Sequence, residues 1–139
     1  MISCIDSFLE DTRRYTEEKL RPLKPNEDYT LIFRAYGKNG VLGEAEPIKQ
    51  TKSHELGLII EGVATEEAVA DDVCEAAEYF VLHMPYPGRL STAANVACPY
   101  SPMEYGMGPV YVYHIWHLLE LDDPCEPFKI EVREFPRGK

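Results

Sequence analysis

Apolar positions along the chain switch period several times, and each switch marks an element. From Ser3 to Leu20, Ile5, Phe8, Leu9, Thr12, Thr16 and Leu20 recur at helical spacing while Arg13, Arg14, Glu17 and Glu18 fall on the other side. This predicts a helix capped by Ser3 and ended by Pro22 and Pro25. A polar linker, 22–28, leads to Tyr29–Tyr36 (YTLIFRAY), whose β-branched and aromatic residues predict a strand bounded by Gly37. The turn Gly37 to Gly43 matches no phosphate-binding glycine pattern. Leu56–Ala64 (LGLIIEGVA) predicts a second strand. Thr65 is then expected to cap a helix reaching His83, with Val69, Val73, Ala76, Ala77 and Phe80 as its buried stripe. Acids crowd its first turns, where the helix dipole favours them.

The following stretch, Pro85 to Pro109, holds five prolines, three glycines and three tyrosines, and reads as a long loop. Long loops in compact domains are disproportionately functional. Val110–Leu121 (VYVYHIWHLLEL) is apolar on both strand faces, which predicts a central strand covered on both sides or facing a partner. After an Asp122-Asp123-Pro124 turn, Phe128–Phe135 (FKIEVREF) alternates and predicts an edge strand. The order predicts an α+β fold, a small antiparallel sheet with helices on one face. Residues 1–24 are read as an N-terminal helix and 25–139 as one domain.

Charge narrows the partners. The 139 residues carry 14 Lys+Arg against 24 Asp+Glu, a net charge of -10. Such a chain repels phosphate backbones and anionic lipid, so neither nucleic acid nor membrane is an expected partner. No apolar run reaches spanning length, and no secretory leader is legible at the start; the expected compartment is the cytoplasm. Cys4, Cys74, Cys98 and Cys125 have no zinc spacing and are read as free thiols, Cys74 in the core. No metal is expected, and no cofactor is identified.

Three polar groups are candidates for chemistry: Arg34, Tyr36, Lys38 and Asn39 at the first turn; His54 and Glu55 before the second strand; and His83, Tyr86, Arg89, Ser91, Thr92, Asn95, Tyr100 and Ser101 in and beside the long loop. His114 and His117, three apart on a strand, point to opposite faces and cannot share a metal there. No nucleophile elbow surrounds Ser91 or Ser101. Arg89 is a rare positive charge among hydroxyls and an amide, suited to a carboxylate or phosphate, or else to an acid of the same chain such as Glu104.

The stretches FRAYGKNGVLGEAEP, SHELGL, LHMPYPGRLSTAANVACPYSP and GPVYVYHIWHLLELDDP resemble the C-terminal ferredoxin-like domain of acyclic terpene utilisation AtuA-type proteins, from about Asp28 to Pro124. Ala94 stands where that family usually has glycine. In the family this domain follows a much larger one. The resemblance therefore implies a ferredoxin-like small subunit, read as complete from Met1, that joins a separate larger AtuA-like chain in an enzyme of organic-acid or acyl-CoA catabolism and is inactive alone. No catalytic role is carried over from the family; the matched positions and the residue chemistry together give His54, Glu55 and His83 as the catalytic candidates. They make Arg89, Ser91, Thr92, Asn95 and Ser101 the substrate-binding or interface candidates. Two alternatives stand beside this reading. One is a self-contained lyase or hydratase with a histidine base, since histidine ordinarily titrates near neutral pH. The other is a non-enzymatic ligand-binding or interaction module.

Overall fold

The computed structural model describes residues 1–25 and 27–135, so Asn26 of the linker and residues 136–139 of the expected domain lie outside it. A short 3-10 turn, Ile2–Cys4, leads into α1 (Ile5–Leu20). Ser3 does not cap this helix: Cys4 holds the cap position without a side-chain cap bond. Two threonines, Thr12 and Thr16, weaken the apolar stripe of α1, yet both are fully buried. Their hydroxyls donate back to the carbonyls of Phe8 and Thr12, each at 2.8 Å, so burial leaves no polar atom unpaired.

Strands β1 (Tyr29–Tyr36) and β2 (Gly57–Ala64) pair antiparallel from Tyr29 opposite Ala64 to Tyr36 opposite Gly57. Residues two apart share a sheet face. Leu31, Phe33, Ala35, Leu58 and Ile60 therefore line one face, and residues from this set pack with both helices. The opposite face carries Ile32, Tyr36, Ile59 and Val63 around an Arg34–Glu61 ion pair, and no helix of the described residues covers it.

The second helix, α2 (Glu67–His83), packs on both strands and on α1. Glu66, rather than Thr65, occupies its cap position, and makes no side-chain cap bond. Its buried stripe is Val69, Val73, Ala76, Ala77 and Val81. Phe80 is only partly buried and stacks on Tyr15 of α1 with ring centroids 5.6 Å apart. Helix and strand touch backbone to backbone at Gly62, where a Cβ would lie 2.7 Å from the Ala70 carbonyl oxygen and 2.8 Å from Cys74 Sγ. Cys74 is half-buried against β2, and burial pushes its thiol up, away from the reactive thiolate.

The C-terminal third departs from the sequence expectation. Residues 110–121 and 128–135 form no strand, and among the described residues the sheet has two strands instead of four. Among the described residues, no backbone hydrogen bond joins the stretch 96–121 to anything. Val112 and Trp116 are each 82% exposed, and Leu118 is 89% exposed. The physical reason is that strand propensity is conditional: side chains suited to a pleated, half-buried surface stabilise nothing until a neighbouring strand supplies that surface. The chain exposes 11964 Å² at 15.8 kDa. A compact monomer of that mass exposes about 7,300 Å², so roughly 4,600 Å² is left uncovered. Among the described residues, no helix is long and apolar enough to cross a membrane.

Candidate functional site

One end of the fold gathers most of the candidate residues. Because β2 starts opposite Tyr36 and α2 runs back along the sheet, the end of α2 returns to the start of β2. Leu56 and Leu58 there share a hydrophobic cluster with Ile5, Phe8, Val81 and Met84. The loop after α2 adds Tyr86 and Val96 to that cluster, with Tyr86 edge-on to Phe8 at 5.8 Å between centroids.

Any helix leaves its last carbonyls without intrahelical donors. Here the loop supplies them. Asn95 Nδ2 donates to the carbonyls of Val81 at 2.9 Å and Met84 at 2.8 Å, and the Asn95 backbone N–H donates to Leu82 at 2.9 Å. Arg89 donates through one terminal guanidinium nitrogen to the carbonyl of His83 at 3.1 Å. Four successive carbonyls are thus satisfied by two loop residues, and the Arg89 charge sits at the negative end of the helix dipole. Arg89 Nε and Asn95 Oδ1 are buried without a protein partner. Gly88 takes a positive φ of 80°, which lets the chain turn back between Tyr86 and Arg89.

The remaining candidates divide around this clasp. Ser91 and Thr92 are exposed on the arc between Arg89 and Asn95, and Ser101 is exposed beyond it. His83 is exposed at the end of α2, its ring 5.1 Å from that of Tyr79. His54 and Glu55 are exposed beside the first glycine turn. There Ser53 Oγ donates to the Gly37 carbonyl at 2.6 Å, and Gly37 adopts a φ of 90°. Neither histidine has a hydrogen-bonding carboxylate among the described residues. The fold therefore brings both to one end without assembling a base and its orienting partner. Of the first polar group, Lys38 and Asn39 line an open depression of about 310 Å³ with Asp6, Glu44 and Lys49, and Lys38 pairs with Asp6 at 2.8 Å. Arg34 is on the uncovered sheet face, paired to Glu61.

A further feature lies along α2. The chain leaves the clasp and runs back beside the helix, bringing Glu104 within hydrogen-bonding reach of Glu78 and close to Glu75 and Asp71. Loss of solvent, then the bond to Glu78 and the neighbouring charges, push the Glu104 carboxyl up to about 6. The signal for this was present in the spacing of Asp71, Glu75 and Glu78, which puts three acids on one helical stripe. Glu104 joins this stripe, and Arg89 is occupied at the end of α2. Among the described residues, no group of three or more His, Cys, Asp or Glu is arranged to hold a metal ion. Comparison with protein-family models, with curated proteins and with solved structures yields no match.

Proposed function

We propose that this chain is the small subunit of a two-chain AtuA-type enzyme of organic-acid or acyl-CoA catabolism, completing a pocket on a larger AtuA-like chain. The supporting observation is the uncovered apolar stretch 110–121 in a chain whose glycine turn and proline-rich loop resemble that family. A segment so apolar and so exposed is incomplete in isolation. The ferredoxin-like architecture belongs to the same proposal: two helices over two strands are the part this chain folds alone, and residues 110–121 become a strand only on assembly with the larger chain.

In this reading the clasped loop 84–96 lies at the subunit boundary. Arg89, Ser91, Thr92, Asn95 and Ser101 edge the shared pocket, and His54, Glu55 and His83 are its proton-transfer candidates. Arg89 and Asn95 act by holding the loop's shape against α2, while the hydroxyls of Ser91 and Thr92 face outward to a carboxylate or thioester.

The test is co-expression with an AtuA-type large chain from the same genome, followed by assay of each chain and of the pair on a panel of branched organic acids and their CoA thioesters. Turnover by the pair alone is expected. Turnover by the small chain alone, or failure of the two chains to co-purify, refutes the reading.

A further inference from the structure

We infer that residues 108–121 are a strand donor that adds itself to an open sheet edge of the larger partner chain, an inference that rests on the small-subunit reading above. Three observations specify the acceptor. First, Val110, Val112, Trp116 and Leu118 fall on one strand face and Tyr111, Tyr113, Ile115 and Leu119 on the other, and all eight are exposed. A strand apolar on both faces belongs in a sheet covered on both sides. The sheet of this chain has helices on one face only, so pairing at home would leave half of these side chains in water.

Second, the whole chain's excess surface of roughly 4,600 Å² is several times the ~800 Å² that each partner contributes to a standard interface, so surface enough for an extensive interface is available. Third, charge selects a different chain over a second copy. The stretch 110–119 carries no Asp, Glu, Lys or Arg, but Glu120, Asp122, Asp123 and Glu126 follow at once with no base among them. Two copies of a chain of charge -10 would bring these acids together. The acceptor is therefore an edge strand in an apolar slot, flanked by Lys or Arg where the strand ends.

The backbone supplies the remaining requirement. Among the described residues, the N–H and C=O groups of 110–121 have no intramolecular partner, the condition for strand addition. Gly108, at a φ of 75°, marks where the segment leaves the body.

The experiment is amide hydrogen exchange on the free chain and on its purified complex with the AtuA-type large chain, together with Val112→Pro and Ile115→Asp. Exchange at 110–119 should be fast in the free chain and slow by at least 100-fold in the complex, with protection alternating along the strand if it lies at an edge. Both variants should weaken complex formation by more than 100-fold while leaving the thermal transition of the free chain unchanged. If the complex forms but 110–119 exchanges as in the free chain, the strand donor is wrong and the small-subunit reading survives. If no complex forms, both fall. Protection already present in the free chain, as monomer or as a concentration-dependent dimer, also overturns the inference, because the acceptor would then be this chain itself.

Discussion

Asn95 is the residue whose removal tests the clasp most directly. Its side-chain amide donates to two carbonyls, those of Val81 and Met84, at 2.9 and 2.8 Å. A hydrogen bond contributes about 0.5–1.5 kcal/mol net, and a buried group left unpaired costs about 1–3 kcal/mol. Asn95→Ala removes both donors where Met84 is buried and Val81 is in the core, while water still reaches part of the helix end. A loss of about 2 kcal/mol is expected, read from urea denaturation, with a fall in Tm of roughly 8 °C. Asn95→Asp separates the donor from its shape. The side chain keeps its size but turns an oxygen toward two carbonyls and places a negative charge at the negative end of α2. The expected loss is larger, about 3–4 kcal/mol, and should shrink as the pH falls and the carboxyl protonates. Amide exchange in residues 84–96 should accelerate in both variants. If Asn95→Asp is as stable as the parent, or equal to Asn95→Ala at every pH, the amide does not donate to these carbonyls and the clasp is wrong.

Gly62→Ala should cost about 1–3 kcal/mol or more in the same denaturation assay, because the added methyl meets the Ala70 carbonyl oxygen at 2.7 Å. Adding Cys74→Ala should relieve only the contact with sulfur, so full rescue by the double substitution would refute the close backbone approach. Val73→Ala, at a position with no exposure, should lose about 2 kcal/mol. Phe80→Ala, which removes a half-exposed ring stacked on Tyr15, should lose about 1–2 kcal/mol; a loss of 3–5 kcal/mol would restore Phe80 to the buried stripe. Glu104→Gln should flatten the pH dependence of stability between pH 4.5 and 6. The folded chain raises this carboxyl above its ordinary value, so it binds the proton more tightly than the unfolded chain does. Stability from this group is full below the ordinary value and lost as pH rises through about 6. The substitution should therefore stabilise the chain at pH 7, by a few tenths of a kcal/mol given the solvent screening there, and an unchanged pH profile would refute the carboxyl pairing.

The parts of the fold legible in the sequence are those whose information is local. Strand β1 occupies Tyr29–Tyr36 as its β-branched and aromatic run requires, and the helices follow their apolar spacing to within two residues. Spacing failed to decide between Phe80 and Val81, because both lie on the arc that Val73 and Ala77 define. The choice comes from a contact distant in sequence: Val81 meets Ile5, Phe8 and Met84, and Phe80 lies over Tyr15. The candidate site was legible in the same limited sense. The proline and glycine content of 85–109 marks a loop, and any loop that follows a helix can meet its free carbonyls. Which residues do so depends on the turn at Gly88, and that turn assigned Arg89 and Asn95 to the end of α2.

The same distinction accounts for residues 110–121. Their pattern specifies what must surround them, an apolar layer on each side and a strand at the edge, without containing the surroundings. A helix carries its hydrogen-bond partners within its own sequence, whereas a strand never does. That is why the helical periods of α1 and α2 can be read locally, while a stronger apolar pattern in 110–121 remains unpaired on the surface. The sequence therefore encodes two kinds of statement. Up to about Gly106 it describes contacts the chain makes with itself. Beyond Gly108, in the proposed assembly, it describes the complement of a surface on the larger chain, and the acids from Glu120 to Glu126 call for positive charge there.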